Sequence, residues 1–127
     1  MTPQLCNFNQ SKALKVLGFS WECFDYFMGS RNQYYDVQPQ NHNRPMTKEK
    51  YSRPTIQDAI RFFRVERGIH GHVFPVFSGT LKWGYGIVDI VEFSAKKWDE
   101  PPYYPTYDDA EGALLNRLIE ISNQEKA

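Results

Sequence analysis

The sequence predicts an α+β domain spanning residues 1–127. It should have one antiparallel sheet of three or four strands, with helices packed on one face, in the order α-β-β-linker-α-β-β-α. Three observations carry this class. Apolar residues recur at helical spacing from Ile56 to Phe63, the period changes to two from Ile69, and a second helical pattern follows Thr106. Strands joined by short turns, with no helical crossover between them, pair antiparallel and argue against a parallel Rossmann-type sheet.

The central helix starts after Arg53-Pro54, because a residue before proline is biased out of the α region. Thr55 is placed to cap free N–H groups, with Asp58 three positions on. Ile56, Ala59, Ile60 and Phe63 form one stripe, while Arg61, Arg64, Glu66 and Arg67 face water. Gly68 supplies a left-handed stop. Val73, Phe74, Val76 and Phe77 then favour a strand, and Ser78-Gly79-Thr80 has turn chemistry. In the next strand Trp83, Tyr85, Ile87, Asp89 and Val91 point to one side, and Gly84, Gly86, Val88 and Ile90 to the other. Pro75 cannot donate to a ladder and predicts an edge strand or a bulge. Gly84 and Gly86 leave one face bare, which suits a helix packed closely over it.

Before this core, Gln10 to Leu17 predicts a short helix closed by Gly18. Glu22 to Phe27 and Gln33 to Val37 predict two strands joined through Met28 to Arg31, with a helix from Ser20 as the competing reading. Residues 38–53 are polar and read as a connector with little order of its own. Residues 93–105 read as a strand end and a stiff proline-rich loop. The last helix starts at Thr106, with Asp109 three places on, and its stripe is Ala110, Ala113, Leu114, Leu118 and Ile121. Asp108, Asp109 and Glu111 in its first turn complement the helix dipole.

Fifteen basic and fifteen acidic residues cancel, so the chain lacks the overall basic footprint of a non-specific nucleic-acid binder. Cys6 and Cys23 form neither a disulfide framework nor a C-x-x-C knuckle, and two reduced thiols in a cytoplasmic protein are expected. The sequence has no signal-peptide core and no apolar run of the roughly 18 residues needed to span a membrane.

No catalytic constellation and no cofactor motif is legible, and the protein is expected not to be an enzyme. Gly84 and Gly86 lie inside a strand with no following helix, so they form no phosphate loop. His70 and His72 share a strand face, but a third ligand from His42, Asp89, Glu92 or Cys23 is not demanded by spacing, and no metal is expected. A Cys23–His70 nucleophile pair lacks any supporting motif. The candidate interaction residues are Tyr103, Tyr104 and Trp98, since tyrosines on a stiff proline-rich backbone offer contact area at low entropic cost. The bland alternative is that these tyrosines staple the loop to the core. For a nucleic-acid role the candidates are Arg61, Arg64, Lys96 and Lys97 at phosphates, with Trp83, Tyr85, Phe74 and Phe77 as a stacking platform.

The pattern P-T-x-x-x-A-I-x-F-F-R-x-E-x-G-I-H (Pro54 to His70) is followed by K-W-x-Y (Lys82 to Tyr85) and Y-x-T-Y-D-D-A-E-x-A-L-L-x-x-L-I-E (Tyr104 to Glu120). Together with K-A-L-K-x-L-G-F (Lys12 to Phe19), it resembles a group of small proteins of gut-bacterial genomes and their phages or prophages. The resemblance implies a mobile-element-associated cytoplasmic protein and brings no assigned activity or functional residues. The expectation is an accessory module that binds a protein partner or itself, with a nucleic-acid-binding domain, like a double-stranded-RNA-binding domain or of the sheet-platform type, as the alternative.

Overall fold

The computed structural model describes residues 4–29, 32–44, 49–97 and 101–125. Among them the chain forms three helices and two three-stranded antiparallel sheets, an α+β arrangement. It divides into two compact units, Met1–Thr55 and Ile56–Ala127. The class is the predicted one. The strands are shared between two sheets because each half of the chain recruits a third strand from a stretch that reads as connector or loop.

In the first unit, α1 (Phe8–Val16) starts earlier than its apolar stripe suggests. The reason is a capping box: Gln10 N–H donates to Asn7 Oδ1 at 2.8 Å, and Asn7 N–H donates to Gln10 Oε1 at 2.9 Å. Strands β1 (Cys23–Met28), β2 (Asn32–Gln40) and β3 (Lys50–Ser52) pair in the order β2-β1-β3. Phe8 meets Phe27 and Tyr51 edge-on at 5.5 and 5.6 Å, which docks α1 on the sheet.

The expected connector at 38–53 is therefore partly strand, and residues 41–44 form an ordered corner. Asn43 Oδ1 accepts the Ser52 N–H at 2.8 Å, and Asn43 Nδ2 donates to the Phe19 carbonyl at 2.9 Å. The His42 N–H donates to Ser52 Oγ at 2.9 Å, and its ring stacks on Tyr26 at 4.3 Å. Burial holds the His42 ring below the ordinary histidine pKa, and Lys50 adds to that effect.

In the second unit, α2 (Ile56–Arg67) ends at Gly68, whose φ of 67° is the left-handed stop its sequence predicts. Strands β4 (Ile69–Ser78), β5 (Thr80–Asp89) and β6 (Ser94–Lys97) lie in the order β4-β5-β6. Beyond β5 the chain turns instead of continuing to Val91, because Asp89 Oδ1 accepts both the Val91 and Glu92 N–H groups at 3.0 Å. Helix α3 (Tyr107–Glu125) opens with Thr106 Oγ1 accepting the Asp109 N–H at 3.1 Å.

Helices α2 and α3 pack on each other and on β4, and α3 also covers β5. Ile56, Ala59, Phe62, Phe63, Ile69, Ile87, Leu114, Leu115 and Leu118 are all buried, each large apolar side chain contributing roughly 1.5–3 kcal/mol. Phe62 is buried where the expected stripe has Ile60, and Leu115 and Ile119 widen the α3 stripe. No helix among the described residues is long and apolar enough to cross a membrane.

Candidate functional site

Among the described residues one edge of the β4-β5-β6 sheet is paired and the other has no strand partner. Strand β5 carries β6 against Ile87 to Asp89. Further along the same side, Trp83 exchanges backbone hydrogen bonds with Tyr104 at 2.8 and 2.7 Å. Among the described residues β4 pairs only with β5, so its outer side is the free edge.

The ladder's phase decides what that edge offers. Ile90 N–H donates to the Gly68 carbonyl at 2.8 Å, and the register then pairs His70 with Val88 and His72 with Gly86. Bonded and non-bonded pairs alternate in an antiparallel ladder, so Gly68, His70, His72 and Phe74 bond inward to β5. The backbone groups of Ile69, Gly71 and Val73 point outward. Pro75 falls in the outward set, which is why its missing N–H breaks no rung.

Beside this edge is a groove of about 300 Å³. Helix α2 contributes Gln57, Ile60 and Arg64, strand β4 contributes His70 to Val73, and helix α3 contributes Tyr107, Glu111 and Leu114. Gly71 forms the tightest part of its floor: a Cβ there would lie 2.7 Å from Leu114 Cδ1. Glu111 is 4% exposed, and Tyr107 and Gln57 donate side-chain hydrogen bonds to it. Burial pushes its carboxyl above the ordinary range, and Asp108 adds to the rise. Tyr107 is raised in turn, by burial and then by Glu111. The groove thus combines unpaired strand backbone, apolar walls from Ile60 and Leu114, and one sequestered carboxyl group.

The sequence suggests a helix over the face of β5 left bare by Gly84 and Gly86, but among the described residues no helix atom approaches these glycines. Rings from β4 and from the proline-rich loop fill it. A Cβ at Gly84 would meet the Phe74 ring at 3.1 Å and Tyr103 at 3.2 Å, and one at Gly86 would meet the His72 ring at 2.8 Å. The close helix approach is at Gly71, on the opposite face. His70 and His72 stack at 5.6 Å, and burial lowers the His72 pKa, with His70 adding to it. His42 is engaged in the first unit through the Cys23 carbonyl, 3.0 Å from its Nε2. Among the described residues no three His, Cys, Asp or Glu side chains are grouped to hold a metal ion. Cys6 and Cys23 are unbridged.

Of the sequence-derived interaction residues, Tyr103 is half-buried over Gly84, and Tyr104 is bridged to Trp83 and stacked on Tyr85 at 6.3 Å. Both hold the loop to the sheet. Trp98 lies outside the described residues. The basic candidates are divided between the two edges of the sheet. Arg61 and Arg64 are exposed on α2, Arg64 at the β4 groove, while Lys96 sits on β6, 3.6 Å from Glu92. The Lys97 ammonium lies 4.7 Å from the Tyr85 ring centre.

The sequence reading missed Gln57, Tyr107 and Glu111 as groove residues. The signal was present: Glu111 occupies a position three and four residues before the buried Leu114 and Leu115, and Tyr107 stands one turn earlier on the same face. Comparison of the chain with protein-family models, curated proteins and solved structures finds no match.

Proposed function

We propose that the protein is a non-enzymatic cytoplasmic interaction module that captures an extended peptide segment by adding it as a strand to the β4 edge. The observation that carries this reading is the outward backbone of Gly71 and Val73 running along a groove walled by α2 and α3. Strand addition takes affinity from main-chain hydrogen bonds and specificity from pockets that receive alternate side chains. Pro75 limits the usable edge to the stretch before it, since its carbonyl faces outward with no N–H beside it. The unbridged Cys6 and Cys23 fit a reducing compartment.

The nucleic-acid alternative has less support, because its four basic candidates do not share one patch and Lys96 is already paired with Glu92.

The test is selection of a displayed random heptapeptide library on the full chain, followed by Kd measurement for an enriched peptide. N-methylation of that peptide at alternate backbone positions should abolish binding in one phase and spare it in the other, because only every second N–H faces β4. Val73→Pro, which removes an outward N–H, should also lose the peptide. Equal tolerance of N-methylation in both phases would reject strand addition.

A further inference from the structure

Among the described residues Glu111 is the acidic side chain that lines the groove, and no basic side chain pairs with it. Its hydrogen-bond donors, Tyr107 and Gln57, are neutral, and the charge acting on it is Asp108, of like sign. Among the described residues no basic group comes within ion-pair distance of it, Arg64 included, although Arg64 lines the same groove. A carboxylate that is 4% exposed and lacks a counter-charge is costly to keep.

The surroundings define what would relieve that cost. Side chains of an added strand alternate between faces, so every second residue, about 7 Å from the next, points towards the helices that wall the groove. Ile60 and Leu114 offer apolar walls to a (CH₂)₃ or (CH₂)₄ stem, and Glu111 offers a charged end point. The wider field agrees: residues 56–127 carry eleven acidic side chains against eight basic ones, whereas residues 1–55 carry four against seven.

We infer that the strand captured at the β4 edge carries a lysine or arginine, and that Glu111 is the residue that selects it. This rests on the strand-addition reading. The groove is an empty half of an ion pair: Tyr107 and Gln57 orient the carboxyl group, and the partner brings the cation. Binding then buries the cation against apolar side chains, where an ion pair counts for more than at the surface.

The experiment compares the same heptapeptide library on the wild-type chain, Glu111→Gln and Glu111→Lys, with circular dichroism and melting confirming that each variant is folded. Wild type should enrich lysine or arginine at a single position. Glu111→Gln can still bond with Tyr107 and Gln57, yet should weaken the consensus peptide about tenfold or more. Glu111→Lys should turn the preference at that position to aspartate or glutamate, a reversal that a purely structural role would not produce.

Peptides that bind in one N-methylation phase with no basic preference, or a basic preference unchanged in Glu111→Gln, would overturn the inference while leaving strand addition standing. No enrichment on the wild-type chain, or enriched peptides indifferent to N-methylation phase, would overturn strand addition and this inference with it.

Discussion

Gly71 is where added side-chain volume meets a buried neighbour most closely. The Cβ of an alanine there would sit 2.7, 3.2 and 3.3 Å from Leu114 Cδ1, Cδ2 and Cγ, and Leu114 is 1% exposed, so it has little room to retreat. Gly71→Ala should therefore destabilise the protein by about 1–3 kcal/mol, read as a lower denaturant midpoint at unchanged slope. Leu114→Ala in the same background should show a less-than-additive loss, because the two sites share one contact. Gly86→Ala makes a useful contrast. Its Cβ would meet the His72 ring at 2.8 Å, but that residue is half-buried on the sheet face opposite the helices, so the strain should be smaller than against the buried Leu114. A larger loss at Gly86 than at Gly71 would contradict this account of the sheet–helix contact.

The corner at residues 41–44 holds an element that periodicity does not reveal. Strand β3 has three residues, Lys50–Ser52, too few for an alternating pattern to stand out from the polar stretch around it. What fixes it is side-chain hydrogen bonding from Asn43 and His42 to Ser52, and such residues read as loop formers when taken one at a time. Asn43→Ala removes the acceptor of the Ser52 N–H and the donor to the Phe19 carbonyl. It should cost about 2–3 kcal/mol and speed exchange of the Ser52 amide, and an unchanged exchange rate would argue against the clamp. Elements with strong local chemistry were legible by contrast: Gly68 ends α2 and Thr106 caps α3 as their sequences predict. The groove was not. Its residues come from three elements as far apart in sequence as Gln57 and Leu114, and an open edge is defined only when all the pairings of a sheet are known. Tyr103 and Tyr104 stand out in the sequence by composition, whereas the Trp83–Tyr104 backbone bridge that ties their loop to β5 is a tertiary contact.

Across the whole molecule, buried titratable groups should give stability a pH dependence with two opposing parts. His42 and His72 both have folded pKa values below the ordinary 6.5. Burial is the larger cause in each. Around His42, Lys50 and Arg44 lower the value further, while the Cys23 carbonyl and Asp36 oppose them; around His72, the second cause is His70. Above pH 6.5 both histidines are neutral in either state and the stability is complete. As pH falls through 6.5 the unfolded chain takes up protons first, so stability declines until the folded values are reached. His42→Gln should make this decline shallower. Glu111 acts with the opposite sign. Its folded pKa lies above the ordinary 4.5, so on acidification the folded state is protonated first, and stability rises as pH falls through the folded value towards 4.5. Glu111→Gln should therefore raise the denaturant midpoint at neutral pH, where the wild type holds a carboxylate with no counter-cation, and the gain should vanish at the acid end. Addition of a lysine-containing consensus peptide should stabilise the wild type more than the variant at neutral pH, because the partner's cation then supplies the charge that the fold leaves out. A lower midpoint for Glu111→Gln at neutral pH would mean that the carboxylate is a structural anchor, whose bonds to Tyr107 and Gln57 outweigh the cost of burying its charge.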